Sequence, residues 1–114
     1  MEFFKPRKHL FKAWNTETKL LMRLNSIDCK RGELYKKDHI LLQFTGMLDQ
    51  QEEEIYEMDV LLIGGEKFVV MWDVDHNTWK LGQLSNPTVA QVCSRQVLGN
   101  ATRLWSYFES EKKG

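Results

Sequence analysis

A mainly β domain is what this sequence predicts, and three observations predict it. A Gly64-Gly65 pair stands between the apolar runs 60–63 and 67–72, and glycine tolerates the positive φ that tight primed hairpin turns need. Residues 8–14 alternate with a period of two and carry aromatics, the pattern of a strand. The chain has 114 residues, 42% hydrophobic and 11% aromatic, which suits one core without staples and leaves no room for two domains. A single domain over residues 1–114 is therefore expected.

The elements follow in order. His9, Phe11 and Ala13 fall on one side of the first strand, and Leu10, Lys12 and Trp14 on the other. Asn15-Thr-Glu-Thr-Lys19 is polar and turn-like, and residues 20–24 are apolar enough to pair back as a second arm. Residues 28–38 are polar with one glycine and read as a loop with a short helical turn. Residues 40–44 form a short strand closed by Thr45-Gly46, and 49–54 a charged loop. The most secure element is a meander of antiparallel strands near 60–63, 67–73 and 78–82. Beyond it, Asn86 as cap, Pro87 in the first turn, and Val89, Val92 and Cys93 at helical spacing predict a helix. Residues 96–99 read as a short strand. Thr102 would then cap a C-terminal amphipathic helix with Leu104, Trp105 and Phe108 along it and Lys112 and Lys113 at its end.

Net charge is zero, but it is unevenly spread. Residues 1–40 hold ten basic and five acidic residues, 41–78 one basic and nine acidic, and 79–114 five basic and two acidic. The segments either mix in the fold and cancel, or form complementary faces that meet between subunits. Cys29 and Cys93 stand far apart, so buried free thiols in a reducing compartment are expected rather than a disulfide framework. No apolar window approaches the length of a membrane helix, and the first residues hold no secretory apolar core. A cytoplasmic protein with no membrane partner is the expectation.

Chemistry-bearing patterns are few. Trp72-Asp-Val-Asp-His-Asn-Thr-Trp79 places oxygens at Asp73, Asp75 and Asn77, which invites comparison with a calcium loop. An EF-hand needs glycine at position six and glutamate at position twelve, where this chain has Thr78 and Leu84. The stretch reads instead as the polar tip of a hairpin. His9, His39 and His76 lie in different segments, and neither cysteine has a ligand at chelating spacing, so no metal and no cofactor is expected. Glu52-Glu53-Glu54 reads as a solvated run, and Gly64-Gly65 is not a phosphate loop. No catalytic residue is assigned, and the chain is not expected to be an enzyme.

Several segments resemble one family. His9-Leu-Phe-Lys-Ala-Trp-Asn15 is similar to the amino-terminal signature of the YopX-like proteins, an aromatic and a basic residue followed by Ala-Trp-Asp. Leu42-Gln-Phe-Thr-Gly-Met-Leu-Asp49 resembles the family segment M-Q-Y-T-G-L-K-D, with Gln43, Thr45, Gly46 and Asp49 in place. Glu54-Ile-Tyr-Glu-Met-Asp-Val60 resembles E-I-Y-E-G-D-I, with Met58 where the family has glycine. Lys67-Phe-Val-Val-Met-Trp-Asp73 and Val97-Leu-Gly-Asn100 resemble the later blocks, so the likeness runs in family order from about residue 8 to 100.

The resemblance implies a small barrel-like, mainly β fold with one or two short helices, comparable with SH3-like barrels. It also implies an origin in phages, prophages or related mobile elements, self-association into a homo-oligomer, and no established activity. The expected function is thus a non-enzymatic, oligomeric binding module that engages an unidentified host or phage macromolecule. The residues expected to matter are structural: Phe11 and Trp14 in the first strand, Gln43, Thr45 and Gly46 in the second block, Tyr56 and Asp59 in the central turn, and Phe68 and Trp72 in the meander. The alternative is a nucleic-acid-binding accessory protein that uses Arg7, Lys8, Lys12 and Arg23 beside exposed aromatics. A neutral total and an acidic middle weigh against it, because phosphate binding needs a concentrated positive field.

Overall fold

The computed structural model describes residue 4 and residues 6–109. Among these residues, eleven strands and two short helical segments make a mainly β domain, with a curled half-barrel sheet. One sheet pairs β1 (Phe11–Asn15), β2 (Leu21–Arg23), β5 (His39–Leu48) and β6 (Glu54–Tyr56) in the order β2-β1-β5-β6. The other pairs β7 (Asp59–Ile63), β8 (Glu66–Asp73), β9 (Thr78–Gln83), β10 (Asn86–Val92) and β11 (Thr102–Ser106) in the order β10-β9-β8-β7-β11. A separate hairpin joins β3 (Asp28–Lys30) to β4 (Glu33–Tyr35), and α1 is Arg95–Leu98.

The meander forms as expected, and its turns show why. Gly64 and Gly65 take φ of 58° and 84°, the two successive positive values of a type I′ turn, which suits the twist of the flanking strands. The Trp72–Trp79 stretch is a hairpin tip. Asp73 Oδ1 accepts the backbone N–H groups of Asp75 and His76, and Asn77 closes the loop at a φ of 50°. Trp72 and Trp79 face each other across β8 and β9, their rings edge-to-face with centroids 5.0 Å apart.

Four expectations are corrected. Residues 28–38 hold a β-hairpin, not a helical turn, because Arg31 and Gly32 take positive φ of 53° and 83° and turn the chain sharply. Residues 86–92 form an edge strand rather than a helix. Thr88 and Val89 favour extended backbone, Pro87 is tolerated at an edge, and a bulge between Asn86 and Ala90 absorbs the irregularity. The helix lies at 95–98 instead of a strand, capped by Ser94, whose hydroxyl accepts the Val97 N–H. Residues 102–106 are a strand paired with β7, and helix returns only at 107–109. Lys112 and Lys113 lie outside the described residues.

The strand at 40–44 also runs further than expected, to Leu48, through a bulge at Thr45-Gly46. Gly46 supplies a φ of 85°, and the Thr45 hydroxyl replaces the missing ladder, donating to the Ile55 carbonyl at 2.8 Å and accepting the Met47 N–H. The main core gathers Ile55, Leu61, Val70, Trp79, Leu81, Cys93, Leu98 and Ala101, with Met47 and Phe68 packed against it. It thus joins the meander to the end of the first sheet and to α1. Both cysteines are free, as expected, but only Cys93 is buried, since Cys29 sits on the exposed hairpin. Burial pushes the Cys93 thiol up to about 11, which leaves it protonated and unreactive at neutral pH.

Candidate functional site at the junction of the two sheets

The chain crosses from one sheet to the other in two residues, Glu57 and Met58. The Glu57 N–H donates to the Gln43 carbonyl of β5 at 2.8 Å, and the Met58 N–H donates to the Val70 carbonyl of β8 at 2.7 Å. The Met58 carbonyl then accepts the Tyr107 N–H at 2.7 Å, so this turn stitches three parts of the chain together. Met58 pays for that geometry with a φ of 70°, in the left-handed region that glycine occupies freely. A methionine thus stands in a conformation that suits glycine, the residue at this point of the motif that the sequence resembles. Met58→Val should lower the unfolding free energy by about 1–3 kcal/mol, because a β-branched side chain is strained at that φ. Met58→Gly should stay within about 1 kcal/mol of the parent, since relieved strain offsets unfolded-state entropy. Urea denaturation of both variants checks the pair.

Asp59 fixes the turn from below. It is 1% exposed, and its Oδ2 accepts the Tyr56 N–H at 2.8 Å and the Arg103 Nε–H at 3.0 Å. Burial pushes its carboxyl above the ordinary range, against the pull of Arg103, of the Tyr56 amide and of Lys12. Burial opposes the charge of Arg103 as well, but Asp59, with Glu109 and Glu53, raises its pKa. Lys12 is lowered by burial and by the like charge of Arg103.

Around this pair the structure assembles a charged cleft lined by Lys12, Arg23, Glu53, Glu54, Tyr56 and Arg103. Antiparallel pairing sets Lys12 opposite Arg23. The Lys12 ammonium lies 4.5 Å from the centre of the Tyr56 ring, and Arg23 pairs with Glu54. Burial and the neighbouring Glu54 raise the Tyr56 hydroxyl, which stays a donor. The chemistry available is charge pairing, and each cation here already faces a carboxylate or an aromatic face.

Asp49, noted in the sequence only as a match to the family segment and given no role there, ties the cleft's rim together. Its Oδ1 accepts the Gln51 and Glu53 N–H groups, and its Oδ2 accepts the Arg103 N–H at 2.8 Å. Burial works against this carboxylate, but the three amides and the Arg103 charge more than offset it and hold its pKa below the usual value. Arg103 was missed. Its partners lie 44 and 54 residues earlier, and no local pattern marks such a pairing.

The other expected residues are distributed as follows. Trp14 is buried and stacks on Phe108 at 5.7 Å, Phe11 is half-buried, and the Tyr56 ring packs on Phe44. Phe68 lies against the main core, and Trp72 is 40% exposed. Of the four basic candidates, Lys12 and Arg23 enter the junction cleft. Arg7 lines a different cavity with Gln43, Glu57, Trp72 and Trp79, and Lys8 is exposed. Among the described residues, no helix is long and apolar enough to cross a membrane, and no three His, Cys, Asp or Glu gather as a metal-holding group.

No curated protein matches the chain. A family model described as YopX protein matches residues 7–102, a span that begins at Arg7, contains the whole 56–59 turn and ends one residue short of Arg103. That span covers most of the sequence, and the chain therefore belongs to the YopX family.

Proposed function

We propose that this YopX-family domain is a non-enzymatic, oligomeric binding module of a phage, prophage or related mobile element, engaging a host or phage macromolecule. One observation carries the oligomeric part. Among the described residues the β3–β4 hairpin pairs with no other strand, and every residue of both its strands is exposed, including Leu34 at 41% and Tyr35 at 48%. A lone two-stranded hairpin is marginal in water and gains stability by lying on another surface. A second copy of the chain offers such a surface, and most soluble oligomers are symmetric assemblies of one chain. The family resemblance supports the same reading and supplies the phage setting.

Light scattering across a dilution series tests it. The parent should run as a dimer or larger, and Leu34→Asp with Tyr35→Asp should shift the mass to monomer while leaving the far-ultraviolet circular dichroism of the domain nearly unchanged. A parent that is monomeric at every concentration would discard the oligomer. The nucleic-acid alternative loses support from the internal pairing of Lys12 and Arg23, and rests on Arg7 and Lys8 alone.

A further inference from the structure

The second cavity, lined by Arg7, Gln43, Glu57, Trp72 and Trp79, has about 260 Å³ of space and lies beside the sheet-crossing turn. Trp72 and Trp79 meet edge-to-face at 77°, and Trp72, 40% exposed, presents the more open indole to the cavity while Trp79 is buried behind it. Glu57 lines the same cavity, and its carboxylate has no ion-pair partner among the described residues. Arg7 lines the same cavity, yet it makes no ion pair there either. We propose that this cavity is a binding site for a trimethylammonium group, such as that of a methylated lysine side chain on a partner polypeptide.

The chemistry of the walls selects this ligand. Indole faces attract cations through the ring quadrupole, and the attraction grows as the site is desolvated. Glu57 supplies the opposite charge that a bound cation needs. A plain ammonium brings three N–H donors, and beyond Glu57 the lining side chains offer only the Gln43 amide oxygen as an acceptor. Unpaired donors in a half-closed pocket are costly, whereas an alkylated cation has none to satisfy. Arg7 opposes a bound cation as Glu57 opposes a bound anion, so the indole quadrupole, which attracts only cations, decides the sign of the ligand. Consistently, burial raises the Glu57 carboxyl above its ordinary range, with only the Gln43 backbone amide favouring the charged form. The site is independent of the hairpin and of its role in assembly.

Two-dimensional NMR of the indole N–H signals tests the proposal in the full chain, with choline, a trimethyl-lysine peptide, the uncharged tert-butyl isostere of choline and adenosine monophosphate as probes. Choline or the peptide should move the Trp72 and Trp79 signals saturably, with the isostere inert. The tighter of the two then identifies the ligand's source as a free quaternary amine or a modified side chain. Glu57→Gln and Trp72→Ala should each weaken binding about tenfold or more, and Arg7→Ala should leave it as tight or tighter. The unchanged remaining amide spectrum of each variant confirms the fold. Absence of saturable shifts with either cation would overturn the site. So would equal binding of the neutral isostere, or binding of the nucleotide that depends on Arg7 and not on Glu57.

Discussion

Asp59→Ala should lower the unfolding free energy by about 3–5 kcal/mol, measured by urea denaturation at neutral pH. The carboxylate is 1% exposed and accepts from both the Tyr56 N–H and the Arg103 Nε–H. Its removal leaves a backbone donor without a partner and a guanidinium, 17% exposed, without its counter-charge. Most of the loss comes from the abandoned Arg103 and not from the pair's own net worth, so adding Arg103→Met to Asp59→Ala should recover part of it. Asp59→Asn keeps an acceptor for the Tyr56 amide and should fall between parent and Asp59→Ala. Unchanged stability of Asp59→Ala would remove Asp59 from its place as the organiser of the turn.

Two carboxylates of the junction, Asp59 and Asp49, give opposite pH trends. Asp59 has a folded pKa raised above the ordinary 3.8, so the folded state binds more protons than the unfolded one in the window just above that value. Stability tied to Asp59 therefore grows as pH falls through this window, and the deficit of Asp59→Ala should widen there. Asp49 has a folded pKa lowered below 3.8, so its contribution is complete above that value and is lost only as pH falls through the lower one. Denaturation curves of parent, Asp59→Ala and Asp49→Asn between pH 3 and 6 separate the two trends: relative to the parent, Asp49→Asn should gain stability toward the acid end and Asp59→Ala should lose it.

What could be read from the sequence was what neighbours decide. Gly64-Gly65 announced its hairpin because only a primed turn needs two successive positive φ values, and residues 67–73 kept the alternation that puts Phe68, Val70 and Trp72 on one face. What could not be read was set by distant partners. Leu104, Trp105 and Phe108 fall at helical spacing only because a register shift between Arg103 and Trp105 breaks the period of two where β11 joins β7. Val89, Val92 and Cys93 misled for a similar reason: the bulge after Asn86 disturbs the alternation of an edge strand. At the junction, Tyr56 and Asp59 were legible as a compact turn, three residues apart. Asp49 and Arg103 acquire their roles only when β11 returns beside the 49–53 loop, which long-range pairing alone determines.

Trp14→Ala should cost about 3–5 kcal/mol, the range for removing a buried large aromatic side chain. Trp14 is 3% exposed on β1, beside the fully buried Ala13, and its ring stacks on Phe108 at a centroid distance of 5.7 Å and 21° between planes. Phe108 in turn meets Tyr107 edge-on at 6.0 Å, and the Tyr107 N–H donates to the Met58 carbonyl. The indole thus anchors the end of β11, through the 107–109 turn, to the first sheet and to the crossing turn at once. Truncation would open a cavity in the first sheet and also release that turn, so two effects should appear. The urea midpoint should fall, and amide exchange at Tyr107 and Met58 should accelerate more than at Val70 or Leu81 in the main core. Trp14→Phe keeps a ring to stack on Phe108 and should retain more than half of the stability that alanine loses. Equal exchange acceleration throughout the chain would show that Trp14 only fills space, with no separate hold on the C-terminal turn.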